Sequence, residues 1–267
     1  MIETKKNGPV TQIKMGRDVD GQVLYRVAAY LVDGLLIDTG CRHTAEELYA
    51  FLQEQKINQV YITHYHEDHI GGAALLQQKL GVKIRAHPRT VPLAKIKPEL
   101  YPYQELVWGY PDPVSIQALR ENKIETENYK FEVVETPGHS EDHTVLFEPE
   151  QGWCFSGDLF VSEKIKVLRP EEKMEEIMHS MRKLLDRKQE LTLYTSIGKI
   201  EKQGCKALKS CLAYLEKLEQ EAKQLAQEED LSTEQIVERL FGGESTLAEL
   251  TNGQFAARHL VASLLEK

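Results

Sequence analysis

T-H-Y-H-E-D-H-I-G-G, residues 63–72, is the stretch of this sequence that decides the fold. It overlaps the short apolar run N-Q-V-Y-I-T (58–63), which predicts a strand, and runs into I-G-G-A-A-L-L-Q-Q-K-L (70–80), which predicts a helix. Five titratable side chains fall in six positions between these two elements: His64, His66, Glu67, Asp68 and His69. A solvated loop seldom carries such a set, so the pattern indicates a metal site at the end of a strand.

The spacing inside the stretch suggests two neighbouring ligand positions. His64 and His66 are two residues apart at a strand end, where alternate side chains point the same way. Asp68 and His69 come just after, where the chain turns into a helix, and can supply ligand atoms to a second, neighbouring metal position. Imidazole and carboxylate ligands together suit Zn²⁺, with Mn²⁺ or Fe²⁺ as other borderline choices, whereas oxygen-only sets suit Mg²⁺ or Ca²⁺. Glu67 receives no ligand role and is expected to face away from the metals.

The two glycines that follow have a packing role in this interpretation. Gly71 and Gly72 lack a side chain, so the start of the helix can approach the preceding turn closely. We therefore expect the start of the helix to pack closely against that turn.

The chain changes character near residue 200. Before it, Gly and Pro separate short apolar runs, and Asp33-Gly34 predicts a hairpin turn between strands 23–32 and 35–38. Further strands are predicted at 82–87, 129–136, 143–149, 152–158 and 191–196. Helices are predicted at 43–55, with a Thr44–Glu47 capping box, and at 170–188. After residue 200 the composition predicts helices at 201–228, after Ser232, and at 251–267.

A long connection at 88–122 is rich in proline and aromatic residues. Its aromatic residues are Tyr101, Tyr103, Trp108 and Tyr110. Long ordered connections often carry function, so this segment is interpreted as lid-like and substrate-facing. A surface loop that packs its own aromatic rings is the alternative.

Taken together, these motifs resemble those of the metallo-β-lactamase superfamily. H-x-H-x-D-H is similar to the signature of that family, and three other stretches occur in the family's order: L-L-I-D-T-G with Asp38, E-T-P-G-H-S-E-D-H with His139, and F-S-G-D with Asp158. The resemblance covers about residues 10–200. It implies an α/β fold, a four-layer αββα sandwich, formed by a catalytic domain at 1–200 with a helical C-terminal subdomain appended at 201–267.

The resemblance also implies the roles of individual residues. The first metal would be held by His64, His66 and His139, and the second by Asp68, His69 and Asp158. Asp38 would be buried and would orient a ligand. A metal-bound hydroxide would attack the substrate, and Asp68 would also act as a catalytic residue that orients or deprotonates the attacking water.

One family motif is missing. The fifth motif supplies a histidine after the last core strand, but the matching stretch here is L-Y-T-S-I-G-K-I (193–200). Ser196 or Ile197 takes that position, and neither replaces an imidazole. His143, four residues past His139, is the nearest other histidine, either as a ligand or substrate contact or as a structural turn residue. The number of bound ions, one or two, therefore stays open.

The resemblance and the composition together narrow the function. The leading hypothesis is a metal-dependent hydrolase acting on a small ester, thioester or lactone, and a phosphodiesterase or nuclease is the alternative. The missing histidine favours a further hypothesis, a degenerate member with a binding or regulatory role. The net charge of −9 argues against nucleic acid and anionic membranes as partners, which leaves a small-molecule substrate.

The cellular setting and the role of the tail are weaker inferences. The first residues lack the apolar stretch of a secretory signal, and the four cysteines show no CxxC spacing, so a cytoplasmic protein with reduced thiols is expected. The acidic tail can cover the site, form a homodimer or buttress the core, and the sequence leaves these roles open.

Overall fold

The computed structural model describes residues 1–187 and 189–266, and two compact units can be separated within it. The first contains Met1–Glu135, Glu141–Asp158 and Leu191–Lys202. The second contains Thr136–Ser140, Leu159–Glu190 and Gln203–Lys267. These units group 136–140 and 159–190 with the C-terminal helices, whereas the sequence predicted one boundary near residue 200. That two-domain boundary stays a prediction.

All strands among the described residues lie in the first unit, whereas two of the segments that connect them, 136–140 and 159–190, are grouped with the second unit. In chain order they are β1 (Ile2–Asn7), β2 (Val10–Met15), β3 (Asp18–Val19), β4 (Gln22–Val23), β5 (Val27–Val32), β6 (Leu35–Ile37), β7 (Gln59–Ile62), β8 (Lys83–Ala86), β9 (Gln117–Ala118), β10 (Lys123–Glu125), β11 (Lys130–Glu135), β12 (Thr144–Glu148), β13 (Trp153–Gly157), β14 (Thr192–Thr195) and β15 (Ile200–Glu201).

These strands form two larger mixed sheets and a small hairpin. The first sheet has the order β1-β2-β5-β6-β7-β8-β9, the second runs from β10 to β15 in sequence order, and β3 pairs with β4. The predicted hairpin between β5 and β6 is confirmed, because the strands pair antiparallel and Asp33 and Gly34 have φ values of 48° and 79°. Positive φ at both central residues is the geometry of a type I′ turn.

The two sheets share one apolar core. Tyr30, Ile37 and Tyr61 come from the first sheet, and they belong to the same buried cluster as Phe131 and Phe155 from the second. The other face of the first sheet packs against two helices, α1 (Ala45–Leu52) and α3 (Ala73–Leu80). Strand β5 is buried at every residue because both of its faces are covered.

The remaining helices are short in the first unit and, apart from α9, longer in the second. They are α2 (Glu67–Ile70), α4 (Thr90–Leu93), α5 (Pro102–Val107), α6 (Met174–Leu185), α7 (Gly204–Glu228), α8 (Thr233–Phe241), α9 (Thr246–Leu250) and α10 (Ala257–Leu265). In the second unit, α7, α8 and α10 share a buried cluster that includes Ala222, Ile236 and Val261. None of the helices in the described part of the chain combines the length and hydropathy that a bilayer span needs.

Several helix boundaries differ from the predicted ones. The helix predicted at 43–55 begins as a 3₁₀ turn, and the expected capping box is absent because the Thr44 hydroxyl donates to the Cys41 carbonyl at 3.2 Å. The helix predicted at 251–267 begins only at Ala257, because Asn252 and Gly253 have positive φ, and the separate short helix α9 ends just before the predicted range. The ends predicted at Lys188 and Lys267 lie outside the described residues.

One prediction at the start of α8 is confirmed. The Ser232 hydroxyl accepts from the Gln235 backbone N–H, and the Gln235 side chain accepts from the Ser232 N–H at 2.8 Å. This reciprocal pair satisfies two donors that a helix start otherwise leaves without partners.

The sheet topology brings several chain ends to one edge. Strands β6 and β7 are parallel neighbours, and so are β13 and β14. Asp38 and Thr63 therefore follow adjacent strands of the first sheet, and Asp158 follows a strand of the second. The Tyr61 and Thr144 hydroxyls join the sheets near this edge, with their oxygens 2.9 Å apart.

Gly71 fixes the distance between this edge and the segment after Asp38. A Cβ atom at Gly71 would lie 2.4 Å from the Arg42 nitrogen and 2.5 Å from the Cys41 carbonyl carbon. The glycine therefore allows a close approach to the Cys41–Arg42 backbone rather than to the turn that precedes the helix, and backbone atoms rather than a flexible side chain occupy the space.

We predict that Gly71→Ala lowers the free energy of unfolding by about 3 kcal/mol, because a backbone clash cannot be relieved by a rotamer change. Gly8→Ala is the matched control, since Gly8 has φ 62° and open space around it. Its cost should be about 1 kcal/mol from backbone strain alone. Urea unfolding of both variants measures the difference, and equal costs would contradict the close-packing explanation.

Candidate metal centre

The centre is organised by the buried carboxylate of Asp38. Its Oδ1 accepts from the Thr63 backbone N–H at 2.8 Å, and its Oδ2 accepts from the Thr63 hydroxyl at 2.9 Å. His69 Nδ1 also donates to Oδ2 at 2.8 Å. Asp38 itself has φ 62°, an unusual value for a residue other than glycine, and the surrounding hydrogen bonds hold this strained backbone in place.

These bonds determine which nitrogen of each imidazole is available for a metal. His69 donates through Nδ1, so its lone pair lies on Nε2. The Thr63 hydroxyl gives its proton to Asp38 and accepts from His64 Nδ1 at 3.1 Å, which places the His64 lone pair on Nε2 as well. Asp38 thus orients His69 directly, and it orients His64 through Thr63, the first residue of the quoted motif.

The oriented nitrogens meet the other predicted ligands of the first unit. His64 Nε2 and His66 Nδ1 are 3.0 Å apart, close to the roughly 3.3 Å that separates two nitrogens on one tetrahedral zinc ion. His69 Nε2 is 3.4 Å from Asp158 Oδ1 and 3.9 Å from Asp68 Oδ2. The candidate ligand atoms of Asp68, His69 and Asp158 all lie within 4.8 Å of one another, as do those of His64, His66 and Asp158.

The residues fit a divalent cation. His69 Nε2 is buried and makes no hydrogen bond of normal geometry among the described residues, although Asp158 Oδ1 lies 3.4 Å away, and a cation between these two atoms would bind both. Nitrogen and carboxylate donors at one point match the preferences of zinc.

The pKa values of Asp68 and His69 are both raised, because several ionisable side chains are buried close together. Burial raises the pKa of Asp68 to about 7, although the charge of His69 opposes this, and Asp158 and Glu67 raise it further. Burial alone would lower the pKa of His69, but Asp38, Asp158 and Asp68 outweigh it and raise that pKa well above 6.5. The metal-free cluster therefore retains protons that a bound cation would displace.

His139 belongs to the second unit and has a supporting carboxylate there. Its Nδ1 donates to Glu172 Oε1 at 2.5 Å, and both side chains are about nine-tenths buried. This bond places the imidazole lone pair on Nε2, the arrangement common for a histidine ligand. Glu172 was not selected from the sequence, because it lies 33 residues from its partner and outside every motif.

His143 supports Asp158. Its Nε2 accepts from the Asp158 backbone N–H at 3.0 Å, and the side chain is 1% exposed. That nitrogen is therefore occupied by the hydrogen bond, which favours the structural interpretation of His143 over the ligand interpretation.

Ser196 lies beside the end of β13, where the fifth motif was expected. Its backbone N–H donates to the Gly157 carbonyl at 3.3 Å, next to Asp158. The Ser196 hydroxyl is buried and has no partner within the described residues. Serine supplies a weaker zinc ligand than imidazole, so the residue at this position does not replace the fifth-motif histidine.

A group of aromatic rings extends from the 88–122 segment. We call Tyr25, Tyr103 and Trp108 the aromatic wall. The Trp108 ring meets the Tyr25 ring edge-on at 5.7 Å and the Tyr103 ring at 6.1 Å. Partial burial raises the pKa of Tyr25, and the charges of Asp158 and Asp68 raise it further, so this ring lies near the candidate ligands.

The wall differs in part from the sequence-based interpretation. Tyr110 instead lies under the Lys97 ammonium at 4.1 Å, and Tyr25 was not selected because it is 63 residues away from the nearest member of the 88–122 segment. Tyr101 stacks on Tyr103 at 6.2 Å and keeps 42% of its surface exposed. The lid-like role of the whole segment stays a prediction.

Comparison with known proteins agrees with this geometry. The model of the metallo-beta-lactamase superfamily matches residues 24–196. The beta-lactamase-like protein 2 homolog of Drosophila melanogaster is 33% identical over 184 residues, which cover 62% of this chain and 58% of that protein. The atrochrysone carboxyl ACP thioesterase of Aspergillus fumigatus is 33% identical over 156 residues, covering 56% of this chain and 42% of that protein. The chain thus spans less than two thirds of either relative's length.

A solved structure extends the comparison to the fold. A beta-lactamase domain protein from Burkholderia ambifaria superposes with a TM-score of 0.77 and 18% identity, covering 98% of this chain and 87% of that chain. At this identity the likeness concerns the fold alone. It confirms the predicted α/β class, the αββα sandwich with helices at the C-terminal end.

The protonated cluster predicts how the metal-free protein responds to pH. The folded pKa of Asp68, about 7, exceeds its ordinary value of 3.8, so the folded state retains a proton that the unfolded state loses as the pH rises between them. His69, with a folded pKa above 6.5, stabilises the fold below pH 6.5 and loses that contribution as the pH passes its folded pKa. Stability should therefore fall from pH 6 to pH 8.

Urea unfolding in EDTA at constant ionic strength measures this fall. Asp68→Asn removes one of the two titrations and should give a shallower decline. Stability that is flat or rises over this range in the unsubstituted protein would show that the cluster does not hold these protons.

Proposed function

Because the chain belongs to the metallo-beta-lactamase superfamily, we propose that it is a metal-dependent hydrolase that cleaves a thioester with an apolar acyl group. The observation that supports the proposal is the buried set of oriented donor atoms at one edge of the sheets, above all His69 Nε2, whose nearest carboxylate atoms are Asp158 Oδ1 at 3.4 Å and Asp68 Oδ2 at 3.9 Å. The name of the thioesterase relative supports the choice of a thioester over the other candidates, a small ester or a lactone.

The proposed ligands follow the family motifs. His64, His66 and His139 would hold the first ion, and the second would be held by the carboxylates of Asp68 and Asp158 together with His69. Zinc suits this donor set best. When bound, divalent cations acidify a coordinated water and polarise a substrate carbonyl.

Several side chains would orient the ligands or accept a proton from the attacking water. Asp38 and Thr63 keep the lone pairs of His64 and His69 directed at the centre, and His143 holds the backbone of Asp158. Asp68 would accept the proton of the attacking water at a carboxylate oxygen and thereby orient that water. Ser196 leaves the second position with three strong protein ligands, so the second ion should bind more weakly than the first.

The aromatic wall would bind the acyl group. Tyr25 is near the candidate ligands and Trp108 connects it to Tyr103, so an apolar chain leaving the reacting carbonyl has rings to pack against. A net charge of −9 disfavours a phosphodiester polymer, and a small-molecule substrate is the remaining class. A cytoplasmic location and a homodimer stay predictions.

The test is a hydrolysis panel on zinc-loaded protein, containing acyl thioesters, esters, lactones and bis-p-nitrophenyl phosphate. We expect thioester cleavage that EDTA abolishes and zinc restores. His66→Ala should lower kcat/KM on the order of a hundredfold or more, because metal polarisation contributes several kcal/mol to the transition state. His179→Ala, an exposed histidine on α6, is the matched control and should have no effect.

Each other result has a defined meaning. Activity that survives EDTA or His66→Ala would contradict the metal mechanism. Cleavage of the phosphodiester alone would favour the nuclease alternative. Bound zinc without turnover of any substrate would favour a binding or regulatory role.

A further inference from the structure

Glu67, the acid of the motif without a ligand role, is buried against one glutamine. It is 5% exposed, and its Oε1 accepts from Gln104 Nε2 at 2.6 Å. No lysine or arginine pairs with Glu67 among residues 1–187 and 189–266. A buried carboxylate without a cation depends strongly on its hydrogen-bond donor, because loss of that donor leaves the charge unsatisfied.

Gln104 is also the central residue of helix α5. Its Oε1 accepts from the Tyr101 N–H at 2.8 Å, which caps the start of the helix. Its backbone carbonyl accepts from the N–H groups of Trp108 and Gly109 at 2.8 and 3.1 Å, where the helix ends. The side chain is 3% exposed, so one residue connects the whole helix to Glu67.

Helix α5 and the residue after it carry two rings of the aromatic wall. Tyr103 lies within the helix and Trp108 directly follows it. The position of these rings relative to the metal motif therefore depends on how α5 is attached. Two further attachments of α5 are exposed to water and should contribute less, from His43 Nε2 to the Glu105 carbonyl at 2.8 Å and from Arg17 Nη1 to the Leu106 carbonyl at 2.5 Å.

We propose that Gln104 is a positioning residue for acyl-chain selectivity, and that its bond to Glu67 fastens the aromatic wall to the metal motif. This inference rests on the proposed function, because the wall is assigned there to the acyl group. When the bond is present, the buried Trp108 ring, which is 7% exposed, holds the more exposed Tyr103 and Tyr25 rings where a long acyl chain can contact them. When it is lost, a long chain loses that surface, whereas a short acyl group is unaffected.

A charge-swap experiment tests the bond directly. Gln104→Glu places two carboxylates at the 2.6 Å contact and breaks it. In the double variant Glu67→Gln/Gln104→Glu, the amide and the carboxylate exchange places, and the new carboxylate can still accept from Tyr101. The double variant should therefore regain what the single variant loses. Gln77→Ala, which removes an exposed bond to the Ser115 carbonyl in the same segment, is the matched control.

Two readouts separate positioning from general damage. With octanoyl-N-acetylcysteamine as substrate, Gln104→Glu should raise KM about tenfold, the change that corresponds to one charged hydrogen bond, with little change in kcat. With acetyl-N-acetylcysteamine, KM should stay within about twofold, as should the zinc content. Hydrogen exchange, which needs no substrate, should become faster at the Trp108 and Gly109 amides.

Rescue of both readouts by the double variant, with Gln77→Ala unchanged, is the expected result. The proposal is overturned if Gln104→Glu has no effect, if the double variant does not rescue it, or if both thioesters are affected equally. If Gln104→Glu does not fold, the unfolding midpoint of the double variant decides between rescue and failure. If the unsubstituted protein cleaves neither thioester, the proposed function fails, and the exchange data still test the bond.

Discussion

The buried hydrogen bonds of Asp38 are the interaction on which the rest of the centre depends. One carboxylate joins the ends of β6 and β7, since it accepts hydrogen bonds from Thr63 and from His69. Without this acceptor, no carboxylate would hold the proton of His69 Nδ1 and the hydroxyl proton of Thr63 on the side away from the candidate metal position. The strained backbone at Asp38 is tolerated because these bonds determine it.

The contacts of the motif extend from Asp38 in two directions, toward the candidate metal position and toward helix α5. Toward the metal, Thr63 and His69 convert a crowded group of titratable residues into a set of lone pairs aimed at one region. On the other side of the motif, Glu67 accepts a hydrogen bond from Gln104, a residue of the helix that carries Tyr103. The motif thus has two roles, since His64, Asp68 and His69 are proposed ligands whereas Glu67 contacts a neighbouring helix.

The sequence was sufficient for the fold and for the motif residues because each motif lies at the end of a predicted strand. The α/β class and the superfamily are confirmed. The ligand set, including His139 as a ligand of the first metal, stays a prediction. The sequence did not predict Gln104, Tyr25 or Glu172, since a side chain that pairs across tens of residues leaves no periodic pattern in its own segment. The capping box predicted at Thr44 was wrong although the local sequence fits one, because the Thr44 hydroxyl donates to the nearby Cys41 carbonyl instead.

The zinc affinity of Asp38→Asn tests the central claim most directly. Asparagine keeps the shape but loses the charge and one acceptor, so the dissociation constant for zinc should rise about 10- to 100-fold. Asp33→Asn, at another aspartate with positive φ but in an exposed turn, should leave it unchanged. A dissociation constant unaltered in Asp38→Asn, measured by competition with a chelator, would contradict the account.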